Sequence, residues 1–274
     1  MTHNAKKLCA IAVPLSMRNS LTEDELTSFR HLERHLSRYD RYLVMPESSQ
    51  MKIPGFEGLV FDNKYFGSAL AHNKLLLSAH FYDSFRDYEY VLIYHSDALV
   101  FSDQLEEWCR KGYDYVAPPW IKHESAPYAG NAEYEGKVGN GGFSLRKIDS
   151  FLKVLTSNRL SIGPVAKIIS AIRYGKSFRK YTSILKFFLY CHPKYNGVRV
   201  ELGSYSHNED HFWANRASHY YPGFKVAPVD VALEFAFECA PGYCYELNGR
   251  NLPFGCHAWN KYDRAFWEPF LIRT

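Results

Sequence analysis

The 274-residue sequence lacks any run of about 18 apolar residues, so no segment reads as a transmembrane helix. Its start lacks the marks of a signal peptide. Lys6 and Lys7 precede a short apolar stretch, Leu8 to Leu15, that contains Pro14 and no small-residue cleavage site, and the stretch reads as a first strand. No C-x-x-C pair occurs among the six cysteines (Cys9, Cys109, Cys191, Cys239, Cys244, Cys256), which predicts reduced thiols in a cytoplasmic protein and no zinc site. Finally, no Asp or Glu occurs between Ser150 and Val200.

That last absence gives the formal charge of +4 its meaning. Ten of the 33 basic residues fall in this acid-free segment, leaving 23 against all 29 acids elsewhere. An acidic body therefore carries one strongly basic segment, which points to an anionic partner at a defined place. With 46% hydrophobic residues the chain can bury a large core, and one domain is expected over 1–274.

The first half alternates strand and helix patterns. Cys9 to Pro14 reads as a strand, and Leu21 to Leu36 as a helix with apolar Leu26, Phe29, Leu32 and Leu36 behind an acidic first turn. Tyr42 to Met45 and Gly58 to Phe61 read as strands, Ser68 to Phe85 as one helix and Tyr90 to Tyr94 as a buried strand. This order predicts an α/β fold with a mostly parallel or mixed central sheet flanked by helices. In such sheets ligands bind beyond the carboxyl ends of the strands. His95-Ser96-Asp97 occupies that place after Tyr94, although a lone Asp there is equally a turn-capping carboxylate.

Three further motifs carry polar chemistry. Gly139-Asn140-Gly141-Gly142 allows positive φ or close backbone approach by a ligand, with a tight hairpin as the plain alternative. It is not a P-loop, since no Gly-Lys-Ser/Thr follows it, and its spacing is not that of a dinucleotide fingerprint. Ser206-His207-Asn208-Glu209-Asp210-His211 looks like a helix start in which Ser206 and Glu209 form a capping box. Asp210 would then either complement the helix dipole or serve as an ionised base. His257, between a Gly/Pro turn and Trp259, is either a core histidine or a ligand for a divalent ion beside a carboxylate.

In this order, from the Ala10 to Pro14 strand to His257, these motifs resemble GT-A fold, nucleotide-sugar-dependent glycosyltransferases. The chain looks most like a family of bacterial and viral candidate glycosyltransferases known only as a domain of unknown function. The resemblance implies a GT-A (Rossmann-like) domain with a nucleotide-binding half, 1–103, and an acceptor half, 104–274. It places Asp97 as the second acid of an Asp-x-Asp motif, with His95 in place of the first, and makes Asp97 and His257 ligands of Mn2+ or Mg2+. Gly141 and Gly142 would lie along the donor, and Glu209-Asp210 would be the catalytic pair, with Asp210 the general base of an inverting transfer. The donor implied is a nucleotide-sugar, by analogy a UDP-sugar, and the acceptor a glycan or a lipid-linked saccharide.

By position, Val13, Pro14, Asn73, Lys74 and His95 are the candidates to touch the nucleotide, Lys74 being equally a solvated helix lysine. Trp120, Tyr128, Trp213 and Trp259 are candidates for stacking on sugars, with core burial expected for at least two of them. In the basic segment, Val165, Ile168, Ile169 and Ile172 share a helical face among Lys167, Arg173, Lys176, Arg179 and Lys180. Residues 164–190 would lie on an anionic membrane or pack on the catalytic body, and no nucleic-acid motif accompanies them. The alternatives to transfer are a catalytically inactive carbohydrate-binding protein of the same fold, suggested by His95, and a sugar nucleotidyltransferase. Against the latter, Pro14 to Asn19 lacks the glycine-rich loop that class carries after its first strand.

Overall fold

The computed structural model describes residues 5–15, 17–18, 20–166, 169, 173 and 187–272. A six-stranded mixed sheet runs in the order β3-β2-β1-β4-β9-β6. Its strands are β1 (Lys7–Pro14), β2 (Asp40–Pro46), β3 (Glu57–Phe61), β4 (Tyr88–Tyr94), β6 (Tyr115–Val116) and β9 (Phe143–Lys147). The first four are parallel to one another, while β9 runs antiparallel to β4 and to β6. This is the mixed α/β architecture that the strand and helix alternation predicts.

Strand β1 shows why the sheet forms where it does. It is apolar at nearly every position, so both faces can be buried, and its side chains divide by parity. Ala10 and Ala12 join the core beneath helices α2 (Ala69–Leu76), α3 (Ala79–Asp83) and α5 (Ile148–Leu155). Cys9, Ile11 and Val13 join the opposite core, under α1 (Glu23–Leu36) and α4 (Leu105–Arg110). Helix α1 begins at a capping box, in which the Thr22 hydroxyl accepts from the Glu25 amide and the Glu25 carboxylate accepts from the Thr22 amide.

Two local expectations are corrected. The helix predicted from Ser68 to Phe85 is two helices, broken at Leu77-Ser78. The Ser78 hydroxyl donates to the Leu75 carbonyl and accepts from the Phe81 amide, so it closes one helix and starts the next. The capping box predicted at Ser206 does not form. The helix Glu209–Asn215 starts at Asn208 without a side-chain cap, because the Glu209 carboxylate is turned into the core against Arg146.

A second, three-stranded sheet positions the site. In it β11 (Gly255–Cys256) lies between β10 (Ala236–Phe237) and β5 (Leu99–Val100), parallel to the first and antiparallel to the second. A two-stranded pair joins β7 (Pro119–Trp120) to β8 (Lys137–Val138). The glycine-rich stretch leads from β8 into β9, and since these strands pair with different partners it is not a hairpin turn. No described helix is long and apolar enough to cross a membrane. Most of 164–190, including Lys167, Ile168, Ile172, Lys176, Arg179 and Lys180, lies outside the described residues.

Candidate active site

At the carboxyl end of β4 the chain turns through His95-Ser96-Asp97, and the His95 amide donates to the Gly142 carbonyl at 2.7 Å. The small sheet brings two more groups to the same point. Glu238 follows β10 directly and His257 follows β11 directly, so the pairing of Phe237 with Cys256 sets them side by side. The antiparallel pairing of Cys256 with Leu99 sets Asp97 opposite them. His257 Nε2 lies 3.3 Å from Asp97 Oδ1 and its Nδ1 lies 3.1 Å from Glu238 Oε1.

His95, Asp97 and His257 offer ligand atoms that all lie within 4.8 Å of one another. Two imidazoles and a carboxylate suit a divalent ion, and a second carboxylate behind the ring, here Glu238, is the usual device that orients a ligating histidine. The residues present therefore fit a metal. Burial works to raise the Asp97 pKa, yet the His257 ring outweighs it and holds the carboxyl well below its usual range. Burial opposes charge on His257 too, but Asp97 and Glu238 raise its pKa to about 10. Burial, then the neighbouring rings of His72 and His257, keeps His95 neutral. His72 Nε2 and His95 Nε2 share a hydrogen bond of 3.0 Å, and burial lowers His72 to about 4.

The glycine-rich stretch earns its composition through close approach and not through positive φ, which none of its glycines adopts. A Cβ on Gly139 would stand 2.4 Å from the Trp120 ring, one on Gly141 2.4 Å from Glu209 Oε1, and one on Gly142 1.9 Å from His257 Nε2. Gly142→Ala is thus expected to push the His257 ring off Asp97. Titration with Mn2+ should show binding lost while the unfolding midpoint moves little; retained Mn2+ affinity would mean that the ring can step aside.

Behind Gly141, Arg146 on β9 and Glu209 form a fully buried pair, 0% and 2% exposed, with two hydrogen bonds of 2.7 and 3.0 Å. The guanidinium also donates to the Tyr82 hydroxyl and the Ser144 hydroxyl, each at 2.9 Å. Next to this pair Asp210 is partly buried, and its Oδ1 accepts from the His211 amide at 2.7 Å. Burial first, and then the Glu209 charge, raises the Asp210 pKa to about 7.

A protein-family model described as a protein of unknown function (DUF5672) matches residues 55–257. The chain belongs to that family. No curated protein sequence matches it. Among solved structures it is similar to the apo-form glycosyltransferase GlyE of Streptococcus pneumoniae TIGR4, at a TM-score of 0.44 and 12% identity over 97% of this chain and 61% of that one. It is similar also to a glycosyltransferase involved in the glycosylation of the major capsid of PBCV-1, at a TM-score of 0.40 and 12% identity over 96% and 98% of the two chains. A third is the catalytic domain of Drosophila beta1,4-galactosyltransferase 7 in complex with xylobiose, at a TM-score of 0.32 and 18% identity over 61% of each chain. The chain spans about 61% of the length of the first of these.

In this DUF5672 protein the residues singled out by sequence fall into three groups. His95, Asp97, Gly141, Gly142, Glu209 and His257 converge as described. Pro14 and His95 line a cavity of about 300 Å3, joined there by Met17, Tyr65, Ser68 and His72. The remaining residues are placed by burial and direction. The Val13 side chain is buried in the core next to Pro14, and Lys74 is exposed outside the cavity lining. Trp213 and Trp259 are fully buried and pack the core, as expected for at least two of the four aromatic candidates. Asn73 donates to the Asn208 side chain at 3.0 Å, which ties α2 to the start of the Glu209–Asn215 helix. Trp120 is buried against Gly139, while Tyr128 is partly buried and stacked with Tyr134. Sequence reasoning missed Arg146, His72 and Glu238. Only Arg146 carried a signal, a cation within a mostly buried strand, where burial demands a partner.

Proposed function

We propose that this chain is a GT-A type glycosyltransferase that moves a sugar from a nucleotide-sugar onto a hydroxyl of a saccharide acceptor with inversion. What supports this reading is one short piece of backbone that touches both halves of the chemistry. Gly142 packs on His257 of the acid and histidine cluster, while Gly141, one residue earlier, packs on Glu209, the neighbour of Asp210. A group lying along these two glycines would have one end at the cluster and the other at Asp210.

His95, Asp97 and His257 would hold Mn2+ or Mg2+, which when bound supplies positive charge against the diphosphate leaving group. The cavity beside Pro14, Tyr65 and His72 would receive the base and ribose, with UDP the first nucleotide to test. Asp210, poised near neutrality, would take the proton from the attacking hydroxyl. Glu209 would act as a positioning group, held by Arg146 and packed under Gly141. In this reading residues 1–103 serve the donor, 104–274 serve the acceptor, and the basic segment 164–190 faces an acceptor carried on an anionic membrane.

The reading predicts that one nucleotide, in the presence of Mn2+, raises the unfolding midpoint. At about 100 times its dissociation constant a ligand stabilises by roughly 2.7 kcal/mol. The matching nucleotide-sugar should then release nucleoside diphosphate when an acceptor is added, and faster with acceptor lipid in anionic vesicles. Binding without turnover across a full donor panel would favour the inactive carbohydrate-binding alternative, and turnover unaffected by vesicles would remove the membrane.

A further inference from the structure

A second cluster lies outside the set that the proposed chemistry uses. Glu133, on the loop between β7 and β8, stands with His207 and His211, whose ligand atoms and its own all lie within 4.8 Å of one another. The two histidines sit four residues apart at the start of the Glu209–Asn215 helix, their rings stacked at 4.4 Å with an interplanar angle of 18°. His211 is 8% exposed, and its Nε2 is buried without any hydrogen-bond partner. Its other nitrogen, Nδ1, lies 2.6 Å from the Tyr205 hydroxyl.

An imidazole nitrogen buried without a partner carries a desolvation cost that most native structures avoid. Here the nearest acid atom, Glu133 Oε2, is 3.7 Å from Nε2, too far for a hydrogen bond. A tetrahedral ion between the two, at ordinary zinc bond lengths of about 2.0–2.2 Å, would hold its ligand atoms roughly 3.3–3.5 Å apart. The observed gap is close to this. If Nδ1–H donates to the Tyr205 oxygen, the tautomer leaves a lone pair on Nε2 aimed at the gap, the arrangement by which an outer hydroxyl fixes a ligating histidine.

We infer that Glu133, His207 and His211 form a binding site for a borderline divalent cation of the zinc type, separate from the Asp97 cluster. Two imidazoles and one carboxylate suit zinc, and the Asp97 cluster offers the same donor set, so the two sites are told apart by disabling one of them. The lack of cysteine pairs bears on thiolate sites and not on this one. A cation here would tie the loop that carries Glu133 and Tyr134 to the helix start that carries Asp210, so it would fix the wall opposite the glycine-rich stretch.

The test reads metal binding and does not depend on glycosyl transfer. Titration of the Asp97→Asn protein with Co2+ as a spectroscopic stand-in, with the first cluster disabled, should give one bound equivalent and the intense visible absorption of a low-coordinate site. Zn2+ should displace it. Adding His207→Ala or Glu133→Gln, both exposed side chains, should remove that absorption and weaken binding at least 10-fold with the metal-free unfolding midpoint unchanged. Tyr205→Phe should weaken binding by about 10- to 100-fold and keep the spectrum. No absorption in the Asp97→Asn protein, or one that survives His207→Ala, overturns the site.

Discussion

With Asp210 as the proposed base, Asp210→Asn is expected to slow transfer by about 10²- to 10⁴-fold and to leave any nucleotide and Mn2+ binding as they were. Asparagine keeps the shape and the hydrogen bond from the His211 amide but cannot take a proton from the attacking hydroxyl. Near wild-type turnover would remove Asp210 from the base role. The pH profile gives a second check. The groups that face Asp210 are Glu209 and Glu238, which raise its pKa after burial has done so, and the His211 amide and Arg146, which lower it; the net result is about 7. A base works in its ionised form, so kcat/KM should rise tenfold per pH unit below about 7 and level off above it. A profile flat from pH 5 to 8 would count against this carboxylate.

The largest loss of stability is expected at the Arg146–Glu209 pair. Neither group reaches water, so Glu209→Gln or Arg146→Met leaves a buried charge without its counter-charge, which costs about 3–5 kcal/mol. For a chain of this size that lowers the midpoint by on the order of 10 °C. Replacing both by apolar residues of similar volume should recover much of the loss, because the cost lies in the orphaned ion more than in the lost attraction. Thermal melts of the two single variants and the double variant make the cycle. A double variant no better than the worse single would mean that Tyr82 and Ser144, which also receive hydrogen bonds from Arg146, need the guanidinium for themselves. A soluble, refolded Glu209→Gln protein should also show Asp210 titrating lower, since the nearest negative charge is gone and Arg146 remains.

Local pattern predicted the parallel half of the sheet well because β1, β2 and β4 are apolar on both faces and α1 repeats at helical spacing behind an acidic first turn. It failed where a side chain had a competing long-range partner. Ser206 and Glu209 match a capping box, but a buried arginine 63 residues away offers Glu209 two charge-assisted bonds, and the local cap cannot compete. The break at Ser78 was hidden because apolar residues continue in register on both sides of it. At the site, Asp97 is legible as a polar residue just after a strand pattern and His257 as a histidine between a Gly/Pro turn and an aromatic residue. Glu238 was not: a single acid after the short run Ala236-Phe237 has no local signature, and only the pairing of β10 with β11 gives it a role. The buried aromatic residues have a related reason for their place. Trp213 and Trp259 lie beside functional residues in sequence, yet the same elements that present His211 and His257 must anchor themselves, and tryptophan is that anchor.

The three-stranded sheet also sets an order of events during synthesis. Strands β1 to β4 occupy the first 94 residues and can begin to pair early, while Asp97 must wait for β10 and β11, whose His257 lies 160 positions further along. Closing so long a loop adds little free energy, since each doubling of length costs only about 0.6 kcal/mol, so the delay concerns timing and not final stability. Until β11 docks on β5, Asp97 has His95 near it but neither His257 nor Glu238. The last strand to arrive would thereby complete the candidate ligand set of His95, Asp97 and His257.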